Sequence, residues 1–161
     1  MKSGIRMMLA TFAVAMTVTG CGVVNNARST DVTFDEAKAA ALALVSQMEK
    51  MLPSEAIITS SDNEVRVACG DDAAQFDGIR TVSVTAEFDR SAWLDDAAAE
   101  FEKKPGWTVQ KNVAADDSSD ATSAISVVSA DGYYLRVDEF ADTAEGGPVM
   151  VLSASSPCVT V

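Results

Sequence analysis

The chain has no histidine among its 161 residues. That excludes Ser-His-Asp and Cys-His nucleophiles, histidine-ligated zinc and a histidine acid or base. It also lacks a P-loop, a dinucleotide fingerprint and any other Gly-rich phosphate loop. Basic residues are scarce: 12 Lys and Arg stand against 24 Asp and Glu, a formal charge of −12. This balance argues against nucleic acid and against an electrostatic grip on anionic lipid. The apolar segment Met7 to Val18 has twelve residues, too few to span a bilayer comfortably as a helix, which needs about 20.

The enzymatic options left are a carboxylate pair or a Ser-Lys dyad. The adjacent acids Asp71-Asp72, Asp95-Asp96 and Asp116-Asp117 fall in or beside segments that read as solvent-facing. No catalytic residue is therefore assigned, and a non-enzyme without cofactor is expected. The oxygen-rich run Asp116-Asp117-Ser118-Ser119-Asp120 lacks the alternating acids, central glycine and terminal Glu of an EF-hand, and reads as a solvated loop with no metal.

The N-terminus is patterned as a targeting segment. Lys2 and Arg6 form a positive n-region, Met7 to Val18 an h-region, and Thr19 and Gly20 are small residues before Cys21. Val18-Thr19-Gly20-Cys21 resembles the lipobox of bacterial lipoproteins. The resemblance implies that residues 1–20 are a signal peptide, and that Cys21 is diacylated on its thiol and becomes the new N-terminus. Two acyl chains give stable residence on a membrane where one gives only marginal binding. The alternatives are an ordinary secretory signal with a cysteine near its cleavage point, or a Cys21 destined for a disulfide.

Removing residues 1–20 takes away Lys2 and Arg6 and no acid, leaving 141 residues with a formal charge of −14. That length suits one domain with a sizeable core. Residues 21–32, short and without helical or strand period, read as a lipidated cysteine and tether, and residues 33–161 as the folded domain. Three cysteines are an odd number for an exported protein. Lipidation of Cys21 leaves Cys69 and Cys158, which in an oxidising compartment most simply pair with each other; two separate buried thiols are the competing arrangement.

Thr33-Phe34-Asp35-Glu36 fits a capping box. Phe34, Ala37, Ala41, Leu44, Met48 and Met51 then form one apolar stripe, and Pro53 stops the helix near Leu52. Strand alternation follows, with Val65, Val67 and Cys69 on one buried face, and with Val82, Val84, Ala86 and Phe88 on another. Residues 70–78 between them read as loop. Ser91 is the expected cap of a second helix with Leu94, Ala97, Ala98 and Phe101 inward, ended by Lys103-Lys104-Pro105-Gly106. Trp107, Val109 and Val113 open a strand, and Asp131-Gly132 turns a hairpin whose second strand places Tyr133, Leu135 and Val137 on one face. Val149 to Leu152 is apolar on consecutive residues, which predicts a strand at least partly covered on both faces.

The fold class is thus α+β: a largely antiparallel sheet of about six strands, with two helices packed on one face of a single domain. Trp107 and Tyr133 are expected in the core. Tyr134 and Phe140 fall on the opposite alternation, exposed unless a second layer covers them, and are the candidate binding surface.

The tethered helix, the lone mid-chain Cys69, Gly106-Trp107, Asp131-Gly132-Tyr133 and the terminal Ser156-Pro157-Cys158 together resemble small exported lipoproteins of high-GC Gram-positive bacteria. The resemblance implies a lipid-anchored, disulfide-stapled envelope domain and carries no activity. The expected protein is a monomer on the extracytoplasmic face of the cell membrane, a binding or accessory module for an envelope partner. A domain capturing a small ligand or lipid in a pocket between helices and sheet is the alternative. The lipobox reading predicts that protein from the membrane fraction begins at a diacylated Cys21 by intact mass and that Cys21→Ala leaves that fraction; an unmodified Cys21 within a membrane-free chain would refute it.

Overall fold

The computed structural model describes residues 32–111, 123–141 and 146–161. The element order is α1 (Phe34–Glu49), β1 (Ile57–Ala68), β2 (Ala73–Val84), α2 (Arg90–Glu102), β3 (Trp107–Lys111), β4 (Ser123–Ser129), β5 (Tyr134–Phe140), β6 (Val149–Ser155) and β7 (Val159–Thr160). Every strand pairing is antiparallel, in the order β1-β2-β6-β5-β4-β3, with the two-residue β7 beside β2 in line with β6. The class is α+β, with both helices on one face of the sheet. No helix among the described residues is long and apolar enough to cross a membrane.

α1 starts where its capping box predicts. The Thr33 hydroxyl accepts from the Glu36 amide, and the Glu36 carboxylate accepts from the Thr33 amide at 2.9 Å. Caps of this kind contribute about 1 kcal/mol. The buried stripe is Ala37, Ala41, Val45 and Met48, continued by Leu52 beyond the last helical residue; Phe34, Leu44 and Met51 pack at its margins. α1 lies across β2 and β6, and α2 lies across β3 and β4. α2 turns Trp93, Leu94, Ala97, Ala98 and Phe101 inward. Between the layers sit Phe76, Val82 and Val84 of β2, Leu135 and Val137 of β5, and Met150 and Leu152 of β6, all at most 2% exposed. Each such side chain contributes about 1.5–3 kcal/mol by leaving water. Trp93 also donates its indole N–H to the Met51 carbonyl at 2.9 Å, tying α2 to the end of α1.

Four expectations are corrected. The segment 70–78 is not one loop: only a short connection precedes β2, which starts at Ala73 and contains Asp77-Gly78. Gly78 fits there because a Cβ would press on the Phe76 ring at 3.0 Å, with Leu42 of α1 in ordinary contact at 3.4 Å; the glycine marks close packing within a strand, not a turn. The cap of α2 is Asp89, whose carboxylate accepts from the Ala92 amide at 3.0 Å, and Ser91 lies inside the first turn. Ala86 and Phe88 lie beyond the end of β2. Val65 and Val67 are not buried but 42% and 39% exposed, because β1 is an edge strand and they face away from the helices. The Asp131-Gly132 turn forms as expected, with Gly132 at φ +91°, a backbone region that favours glycine. Val113 and residues 116–120 lie outside the described residues, as do Cys21 and the proposed signal and tether up to residue 31.

Cys69 and Cys158 are bonded, with Cα atoms 6.1 Å apart and 89 residues of separation. The bridge clips the end of β1 to the residue before β7. Chain entropy assigns such a loop about 4–5 kcal/mol, and measured values centre on 2–4. Replacing both cysteines with serine is therefore expected to lower unfolding free energy by about 2–4 kcal/mol in urea titration while the far-ultraviolet circular dichroism of the folded state is unchanged; an unchanged midpoint would show that the bridge adds nothing.

Candidate functional site: the uncovered face of the sheet

Alternation and register divide the strands cleanly. One face carries the core described above. The opposite face carries Thr59, Ser61, Asn63, Val65 and Val67 of β1, then alternate residues of β2, β6, β5, β4 and β3 in register across the sheet. No described helix packs on it. One row reads Val65, Asp77, Ser155, Tyr134 and Val128, and the next Asn63, Ile79, Ser153, Arg136 and Ser126. Short neutral side chains dominate. Among the described strand residues of this face, only Asp77, Arg136 and Asp138 are charged. In a chain with 24 acids, so few charges on so broad a surface is a patterned feature, and depletion of charge is one mark of interface centres.

The sequence singled out Tyr134 and Phe140 here, and both lie on this face, half-buried. They do not form a contacting pair. They stand at opposite ends of β5, about 20 Å apart at 3.3 Å per residue, with Arg136 and Asp138 between them. The Tyr134 hydroxyl shares a hydrogen bond with the Ser126 hydroxyl at 2.9 Å, and Phe140 stands opposite Val149. Val149 and Val151 are only half-buried, shielded by their neighbours in the sheet. Consecutive apolar residues in β6 arise because its inner pair fills the core and its outer pair belongs to this surface.

Arg136 is the feature that sequence reasoning missed. Its guanidinium donates to both oxygens of Asp138, from Nε at 2.9 and 2.8 Å and from Nη2 at 2.6 Å. Both side chains are largely covered, with 24% and 14% of their surface exposed. The Asp138 carboxylate, with a smaller contribution from Tyr134, pushes the Arg136 pKa up and holds the guanidinium ionised. The i, i+2 spacing on a strand was the available signal, since it puts both residues on one face. The pair cancels its own charge in the middle of the surface, which leaves Asp77, hydrogen-bonded to the Gln75 amide at 2.7 Å, as the one charge of this face outside it among the described strand residues.

The remaining ionic contacts lie on the helix side or its rim. Arg80 bridges Glu49 of α1 and Asp62 of β1 at 2.5 and 2.6 Å, which holds the Asp62 carboxyl below its ordinary range. Arg90 at the start of α2 meets the buried Glu139 at 2.8 Å. These contacts fasten helices to strands. Among the described residues no three Cys, Asp or Glu side chains gather as metal ligands, and Asp71, Asp72, Asp95 and Asp96 are exposed. A shallow depression of about 260 Å³ opens between Pro53, Ala56, Thr85 and Phe88, with Glu55, Glu87 and Asp89 on its rim. It lies at the molecular edge, outside the layer between helices and sheet.

No family model, curated protein or solved structure matches the chain.

Because Arg136 and Asp138 depend on each other, Arg136→Ala is expected to cost about 1–3 kcal/mol through the stranded carboxylate. Adding Asp138→Ala should recover part of that loss. Urea unfolding of the single and double variants measures the coupling, and additive losses would show that the pair is energetically independent.

Proposed function

We propose that the protein is a non-enzymatic binding or accessory module of the cell envelope, anchored through a lipidated Cys21 on the extracytoplasmic face of the membrane. The observation that carries the binding half of this reading is the charge-poor face of the sheet on which no described helix packs, with Tyr134, Phe140, Val149 and Val151 around the neutralised Arg136–Asp138 pair. Antiparallel sheets with one bare face ordinarily set polar, charged residues toward water. Here most charges gather elsewhere, and the face shares with interface centres their depletion of charge, with Tyr134, Phe140 and Arg136 among the residue types enriched there. The partner fitted to it is a protein presenting a flat, weakly charged surface of its own.

The lipid anchor rests on the n-region, the h-region and the four-residue box ending at Cys21. The bonded Cys69–Cys158 pair agrees with export to an oxidising compartment. Capture of a small ligand between helices and sheet is the weaker alternative, since Met48, Phe76, Phe101, Leu135 and Leu152 fill that layer. Neither reading assigns a catalytic residue or a cofactor.

A photo-crosslinking amino acid at Val151 or Tyr134 of the full-length, membrane-resident chain tests the proposal. Adducts to one defined envelope protein are expected from these two positions, lost on Arg136→Glu, and absent from the exposed Gln47 of α1. Equal labelling from Gln47, or no protein adduct from the sheet positions, would refute the surface as the contact site.

A further inference from the structure

β1 is an edge strand whose other eleven residues are exposed beyond the half-buried Ile57. Its hydrogen-bonding phase follows from the hairpin: the Cys69 amide donates to the Ala73 carbonyl at 2.9 Å. The odd-numbered residues of β1 therefore direct N–H and C=O toward β2, and Asp62, Glu64, Arg66 and Ala68 direct theirs toward the free edge. An unpaired ladder of this length is a template for another strand unless its side chains forbid it.

The side chains forbid most partners and most registers. Asp62, Glu64 and Arg66 stand in alternate positions on the helix side of the edge. If a second copy pairs antiparallel, only edge-directed residues can oppose one another in hydrogen-bonded positions. One register puts Glu64 against Glu64, though it also sets Asp62 opposite Arg66 twice, another puts Arg66 against Arg66, and another Asp62 against Glu64; each contains like charges directly opposite, which are destabilising. A single register with the two-fold axis through Val65 sets Glu64 opposite Arg66 twice and Asp62 opposite Ala68 twice. Sliding farther shortens the ladder and leaves the ions unmatched.

We propose that β1 is a homodimerisation edge, joining two copies antiparallel about Val65 into one continuous sheet. Val65 then meets Val65 at a non-hydrogen-bonded position, where Cα atoms approach to about 4.5 Å, and covers a side chain that is 42% exposed in the single chain. Asn63 stands opposite Val67. Glu64 already pairs with Lys38 at 2.5 Å, so in the dimer its carboxylate lies between that ammonium and Arg66 of the second copy. Arg66 sits on the Phe34 ring, 4.9 Å from its centre, which holds the guanidinium in place and brings the starts of both α1 helices beside the axis, on the same face of the joined sheet. The inference departs from the monomer expected of the sequence and does not depend on the lipid anchor or on the proposed partner surface. An edge-only contact is smaller than the about 1,600 Å² of a standard stable interface, so assembly is weak and concentration-dependent.

Disulfide trapping in the full-length chain tests the register. Under mild oxidation Val65→Cys should form a covalent dimer at least tenfold faster than Val67→Cys, whose two copies would stand about 13 Å apart along the strands. Glu64→Lys should slow Val65→Cys trapping several-fold, and Glu64→Arg combined with Arg66→Glu should restore it. A photo-crosslinker at Asn63, which adds no thiol and leaves Cys69–Cys158 undisturbed, should label Val67 of a second copy, mapped by mass spectrometry. Faster trapping at Val67 than at Val65, indifference to the charge exchange, or no intermolecular adduct from either probe would overturn the proposal.

Discussion

The contact between the helices and the inner rows of β2, β5 and β6 is the interaction on which the rest depends. Val82, Leu135, Val137, Met150 and Leu152 present one continuous apolar surface, and α1 and α2 divide it between them. Most apolar area is removed from water on that side. The chain has no third helix among the described residues to cover the reverse side, so that side is built from short, mostly neutral residues that tolerate solvent while remaining flat. The division of the sheet into a packed face and a contact-like face is thus one consequence of where two helices can sit.

The edges follow from the same arrangement. α1 lies over β2 and β6, and β1 projects beyond its apolar stripe. What couples β1 to the helix layer is therefore ionic: Glu49, Arg80 and Asp62 at one end, Lys38 and Glu64 near the middle, Arg66 on Phe34 at the other end. Exposed pairs of this kind contribute little individually. Their greater effect is to position charge along an open backbone edge and restrict what can pair there. The Cys69–Cys158 bridge holds the far end of the same strand to β7, so the edge is braced at both ends.

Much of this architecture was legible locally. The capping box at Thr33, the Asp131-Gly132 turn, the stripe of α2 and the alternation of β5 each depend on residues within a few positions of one another, and each appears as read. Some misread elements were local, Asp89 capping α2 two residues before the expected Ser91; the exposure of β1 depended on neighbours distant in sequence. Asp77-Gly78 has the composition of a turn, yet it lies inside β2, where a Cβ on Gly78 would crowd the Phe76 ring at 3.0 Å. Val65 and Val67 alternate like buried residues, yet an edge strand outside the helix layer leaves them in water. Tyr134 and Phe140 lie on the face that alternation gave them, while for Arg136–Asp138 between them the i, i+2 spacing puts both on one face but does not by itself show that they pair.

By itself the sequence determined which segments became helices and most strands, which cysteines were available to pair, and which catalytic chemistries lack their residues, because periodicity, caps, turns and the absence of histidine are properties of the chain alone. Only the tertiary structure decided the strand order, the joining of β1 to β2 and of β2 to β6, the side of the sheet that is left bare and the charge pattern of the open edge. Those depend on how apolar area from distant segments is shared between two helices, and no window of neighbouring residues contains that balance.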